Sequence, residues 1–337
     1  MCRRFASSLG VLAVVGAAAW LGAPLLSGQG AQAPTAAGGT KPWSATKTPW
    51  GDPDLRGIWS YATITPLERP ASQAGKAILS EEEAAALDAA SAVRGDQRNK
   101  DNPAADVEGA YNAFWWDRGN STRRTSLLVD PPDGRLPALT PEGERRRTAA
   151  AEHRRAHAFD SYENRPLQER CLTYHGVPPL PTGYNNHYQI YQTPGFVTIL
   201  DENIHDARVI PLDGRPHLPP NLRVWNGDSR GRWEGSTLVV ETTNYHSKST
   251  FRFPVAPETL RAVERFTRVA ADEIDYQYTI HDSTTYTRPW TVSLPMTAIE
   301  GPIYEYACHE ANYGLAHVLA GARAQDRMAE APTPGGR

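Results

Sequence analysis

Along most of the second half of the chain, apolar and polar positions alternate with a period of two. His187–Tyr191 and Phe196–Glu202 are short aromatic or β-branched runs joined by Thr193-Pro194-Gly195, a turn signal. Ala207–Pro211 follows and ends at Asp213-Gly214. Arg232-Trp233 and Thr237–Tyr245 flank Glu234-Gly235-Ser236, and Leu260–Val269 and Glu273–Asp282 flank Ala270-Ala271-Asp272. Trp290–Met296 and Ile303–Ala307 complete the series. This spacing predicts about eight strands with no helices between them, which favours an antiparallel meander. Such a sheet must close or be covered to lose its edges. The expected fold is therefore mainly β, a meander closed into a barrel or a strongly curved sheet.

The period changes to that of a helix in three places. Ser80 and Glu83 have capping-box spacing before an alanine-rich run that stops at Gly95. Thr140-Pro141 opens a second helix reaching about His157, with proline at its first position. A third is predicted over Asn312–Ala329, with Leu315, Val318, Leu319 and Ala322 on one stripe. No repeat of 20–50 residues is present, which argues against a propeller or solenoid.

The amino-terminal stretch follows a different logic. Arg3 and Arg4 precede an apolar run from Leu9 to Leu26, and Ala31-Gln32-Ala33 has the form of a signal-peptidase site. Residues 1–33 thus read as a signal peptide, and Pro24 with the small-residue tail favours cleavage over a retained anchor. Residues 34–48 read as a flexible lead-in, 49–330 as one β-rich domain with a Pro-rich insertion at about 104–183, and 331–337 as a disordered tail. Export to the periplasm or medium follows, with no stable membrane span after cleavage. Cleavage would remove Arg3, Arg4 and no acid, taking the net charge from −3 to −5. Neither value suits a nucleic-acid binder. Of the three cysteines, Cys2 goes with the leader, so Cys171 and Cys308 are expected to form a disulfide. Proline, 28 of 337 residues, is above the usual ~5% and fits a turn-rich β fold.

The Gly57-x-Trp59 start, with Trp233-Glu234-Gly235-Ser236-Thr237-Leu238 and Glu264-Arg265-Phe266 in hairpins, resembles lipocalin-type barrels. That resemblance implies a meander around a ligand cavity, although the long insertion departs from a compact barrel. Leu67-Glu68-Arg69-Pro70, Pro211-Leu212-Asp213-Gly214-Arg215-Pro216-His217 and Glu305-Tyr306-Ala307-Cys308-His309-Glu310 also resemble a group of exported bacterial proteins of unknown function.

Candidate chemistry gathers at strand ends. Gly227-Asp228-Ser229-Arg230-Gly231 matches the nucleophile-elbow pattern, but a strand rather than a helix follows it, so it reads as a hairpin turn. His205-Asp206 and His309-Glu310 are candidate general acid–base pairs, in which the carboxylate orients and tunes the ring. Arg208 could hold an anionic group or developing negative charge. Tyr184, Asn186, Glu202 and Glu264 are candidate substrate contacts. If Phe266 faces the core, so does Glu264, because residues two apart share a face. Otherwise Val263 and Val269 face in, and the carboxylates lie in solvent. Phe114, Trp115 and Trp116 in the insertion could wall a pocket. No phosphate loop, dinucleotide fingerprint or haem site is present. A bound metal would require histidines from separate strands, and no cofactor is expected. The leading expectation is an acid–base enzyme acting on a small, partly apolar molecule. A lipocalin-like carrier and a structural envelope protein are the alternatives, and the oligomeric state stays open.

Overall fold

In the computed structural model the described residues are 43–44, 46–94, 116–174 and 176–330. The expected signal peptide, the tail, Phe114 and Trp115 lie outside them. The described residues belong to one compact unit.

Eleven strands form one sheet: β1 Gly57–Ser60, β2 Leu128–Asp130, β3 His187–Thr193, β4 Phe196–Asp201, β5 Ala207–Pro211, β6 Asp228–Glu234, β7 Thr237–Thr243, β8 Arg261–Ala270, β9 Glu273–His281, β10 Trp290–Ser293 and β11 Met296–Ala298. The order is β5-β4-β3-β1-β11-β9-β8-β7-β6, with β10 pairing β9 and β2, and every pair is antiparallel. The sheet is nearly closed into a barrel, as the alternation predicted. Its two ends, β5 and β6, come together where a β-carbon on Gly231 would lie 2.8 Å from Ile210. Bare backbone at that position allows the approach.

The inward face is made by alternate residues, as period two requires. Ala262, Glu264 and Phe266 on β8 and Ile274, Tyr276, Tyr278 and Ile280 on β9 are fully buried. Phe266 and Tyr276 pack with ring centroids 4.6 Å apart, and Phe253 meets Trp290 edge-on at 4.8 Å. Large side chains thus fill the barrel. Val263 is only half-buried and Val269 is exposed, which settles the facing of β8 in favour of Phe266 and Glu264.

The three helices form close to their expected bounds. Helix α1, Glu81–Arg94, begins at the reciprocal box in which Ser80 N–H donates to Glu83 and Glu83 N–H donates to Ser80 Oγ. In α2, Pro141–His157, Thr140 Oγ1 accepts from Gly143 N–H at 3.0 Å. Helix α3 runs Tyr313–Glu330; Leu315, Leu319 and Ala322 are half-buried and Val318 is exposed.

Three local expectations differ. Ile303–Ala307 is not a strand; it runs as an irregular strap with no sheet partner among the described residues. Trp290–Met296 divides at Leu294-Pro295 into β10 and β11, because proline cannot donate to a ladder. The Gly227–Gly231 segment is not a turn but enters β6, where Ser229 is buried against Thr242 at 2.9 Å. A nucleophile elbow is excluded there.

Candidate active site

The register of the first hairpin builds the site. Thr193 pairs with Phe196 across the Pro194-Gly195 turn, and pairing continues outward to Tyr188 opposite Asp201. The next position out puts His187 opposite Glu202, and Glu202 N–H donates to the His187 carbonyl at 3.0 Å. Tyr188 points into the barrel, so His187 points outward. Its Nδ1 meets Glu202 Oε2 at 2.5 Å, and Glu202 is buried.

The other ring nitrogen, Nε2, lies 3.3 Å from Asp117 Oδ2. Asp117 belongs to the insertion, and its backbone is fixed from both sides. Its N–H donates to the Gly183 carbonyl at 2.8 Å, and its carbonyl accepts from Asn186 Nδ2 at 2.9 Å. Asn186 is itself fully buried and accepts from Thr182 N–H at 2.7 Å. Asn203 Nδ2 donates to the Asn185 carbonyl at 2.6 Å, bracing the turn after β4 against the start of β3. Glu202, His187 and Asp117 therefore form a linear chain held by its own hairpin and insertion.

Burial opposes the cation of His187, but the Glu202 hydrogen bond and the charges of Glu202 and Asp117 outweigh it, so its pKa is raised above 6.5. Burial, helped by the charge of Glu202 and opposed by that of His187, raises the pKa of Asp117. Asp117 Oδ2 is sealed from solvent with no accepted hydrogen bond, while the side chain as a whole is 42% exposed. Because the folded pKa of His187 is raised, its charge stabilises the fold fully below about pH 6.5, and the effect fades as pH rises through the folded value. Following the ring by NMR across pH should show titration above 6.5. Glu202→Gln should lower that midpoint, because burial then dominates; an unchanged midpoint contradicts the pairing.

This chain opens on a cleft of about 1120 Å³, lined also by Tyr184, Tyr304, Tyr306, Leu315 and Val318. The cleft lies outside the barrel, between the β3–β4 hairpin, the 303–312 strap and α3. Other histidine–carboxylate contacts exist at His157–Asp160 and His217–Asp228, but neither pair lines this cleft.

Of the residues expected from sequence, Tyr184 and Glu202 line the cleft, and Asn186 lies directly behind it. His205 is exposed, with Nδ1 3.3 Å from the Tyr306 carbonyl, while Asp206 accepts from Asn226 Nδ2 at 2.9 Å; the two side chains turn to different partners. His309 and Glu310 are exposed on the strap. Arg208 and Glu264 face each other inside the barrel, Nη2 to Oε1 at 3.0 Å, with Tyr276 OH donating to Glu264 at 2.8 Å. Glu264 is fully buried, so these two hold one another in place of a ligand. Glu202 shares the outer face with Thr198 and Leu200, because Val197 and Ile199 take the inner face of β4. Cys171 and Cys308 are bonded, as expected. Among the described residues no group of three or more His, Cys, Asp or Glu side chains could hold a metal ion. His187 and Asp117 went unremarked as site residues, although the hairpin turn alone places His187 opposite Glu202.

No protein-family model, curated protein or solved structure matches the chain. Function must therefore be argued from the site alone.

Proposed function

We propose that the protein is an exported acid–base enzyme that works without a cofactor on a small, partly apolar molecule, as a hydrolase, lyase or isomerase. The observation that carries this reading is the Glu202–His187–Asp117 chain at the wall of the cleft. Glu202 orients the imidazole through Nδ1 and favours its charged form. His187 holds the proton that Glu202 favours, and its Nε2, 3.3 Å from Asp117 Oδ2, must close on that oxygen before the proton can pass to Asp117. Asp117, with a raised pKa and an exposed face, delivers the proton to a bound molecule or takes it away. The disulfide fits an oxidising compartment, which supports export, and no described helix is long and apolar enough to cross a membrane.

A lipocalin-like carrier would hold its ligand inside the barrel, where Phe266, Tyr276, Tyr278 and Trp290 already sit. That filled interior favours the structural reading over the carrier, and the external cleft favours the enzyme over both. The test is a screen of the purified mature chain against small aromatic esters, lactones and enolisable ketones, followed by His187→Gln. Turnover should fall by about 10²–10⁴-fold in the variant, the usual weight of a positioned acid–base group. Activity that survives His187→Gln overturns the assignment. Binding without turnover makes the protein a carrier, and neither binding nor turnover leaves the structural role.

A further inference from the structure

The charge and ring content of the cleft say what kind of molecule it takes. Four carboxylates line it: Asp117, Glu169, Glu202 and Glu305. Against them stand one guanidinium, Arg165, and the imidazole of His187. Arg165 is already spent. Its Nε and Nη2 hold Glu169 at 2.9 and 3.0 Å, its Nη1 donates to the Ala158 carbonyl, and its plane lies over Phe159. His187 lies between Glu202 and Asp117 and offsets at most one of them. Four carboxylates thus face two cations, Glu305 has no cation partner among the described lining residues, and the cleft is negative at neutral pH.

The walls are aromatic. Tyr184 packs near Trp116, Tyr306 packs edge-on to Tyr174, and Tyr304 is 75% exposed. Ring faces attract cations, and they do so more strongly where a carboxylate adds its own charge. Anions are repelled by both features. A bare metal ion is a poor match, because no described cluster of side chains could ligate one. We infer that the cleft binds an organic cation, a protonated or quaternary amine carrying an apolar or aromatic body. The ammonium sits among Tyr304, Tyr306 and Glu305, and the body reaches toward Leu315 and Val318. This specifies the ligand of the site proposed above and rests on the cleft being the binding site. It does not require the relay to be catalytic.

Three probes of similar shape and different charge decide the matter: benzyltrimethylammonium, benzyl alcohol and benzoate, titrated into the oxidised mature chain by calorimetry or NMR. The cation should bind about tenfold or more tighter than the neutral probe, and benzoate weakest. The preference should shrink as salt rises. Glu305→Gln and Tyr304→Ala, both at exposed positions that leave the fold intact, should each reduce the preference about three- to tenfold. Cation binding is read on the unsubstituted chain independently of turnover, so a chain that prefers the cation but turns nothing over overturns the enzyme assignment alone, and one that turns over a neutral molecule without that preference overturns this inference alone. Equal or tighter binding of benzoate, absence of binding by all three, or a preference unchanged in both cleft variants overturns it.

Discussion

Replacing Glu264 with alanine should destabilise the protein by about 3–5 kcal/mol, the cost of removing one partner of a buried ion pair. The pair joins β5 to β8 through the barrel interior. Arg208 donates to both carboxylate oxygens, and Tyr276 OH donates to Oε1. Only 9% of the Arg208 side chain is exposed, so the guanidinium left behind cannot recover its hydration. Burial works against the charged form of Arg208, and Glu264 more than restores it, so the folded pKa lies above the ordinary arginine value. A double replacement by apolar residues, Arg208→Met with Glu264→Leu, should cost far less than Glu264→Ala alone, because both desolvation penalties vanish together. Urea denaturation of the three variants measures this. A loss below about 1 kcal/mol for Glu264→Ala would show that the pair carries no weight in the fold.

The same pair shows how much of the molecule was legible in the sequence. Alternation on β8 put Glu264 and Phe266 on one face, since strand period depends on neighbouring residues alone, but left open whether that face is the inner one. It did not reveal that Arg208, 56 positions earlier, is the partner. That contact exists only because the sheet curls until β5 approaches β6. Curvature comes from twist accumulated over many strands, and no single segment records it. The caps of α1 and α2 were readable because each is a reaction between residues three apart. Ile303–Ala307 has residues that suit a strand, yet whether such a run pairs depends on where the folded sheet leaves an edge beside it, which no local pattern records.

The candidate site divides along the same line. His187 and Glu202 face each other through a hairpin whose turn is plain in the sequence, so their contact could be read by counting outward from Pro194-Gly195. Adjacent pairs such as His205-Asp206 drew attention instead. Neighbours on an extended chain point to opposite sides, which makes sequence adjacency a poor guide to side-chain contact. Asp117 was beyond reach, because the long insertion brings it in through backbone bonds to Gly183 and Asn186.

Breaking the Cys171–Cys308 bridge should have two separable consequences. The loop it closes spans 137 positions, so in the chain-entropy account its loss costs up to about 4–5 kcal/mol, within the ~2–5 kcal/mol seen when native bridges are removed. The second consequence is local. Between Ile303 and Asn312 the strap makes backbone hydrogen bonds only within itself and its junction with α3, among the described residues. Apart from the bridge, its hold on the body includes Asn312 Nδ2 to the Glu169 carbonyl at 3.0 Å, His205 to the Tyr306 carbonyl at 3.3 Å, and the Tyr174–Tyr306 ring contact. Helix α3, which continues the strap, has no fully buried residue. Exposed polar contacts of this kind, at roughly 1 kcal/mol each, hold a segment only marginally. With the bridge gone, the strap should open at a free-energy cost well below that of global unfolding. Cys308→Ser, or the wild type under reducing agent, should therefore melt earlier and be cut first by a protease between residues 303 and 312, with the barrel surviving as the resistant fragment. Since Tyr304, Glu305 and Tyr306 leave with the strap, cation binding should weaken in step with cleavage susceptibility. A reduced protein that melts and digests as the oxidised one does would show that the strap is held by contacts other than the bridge.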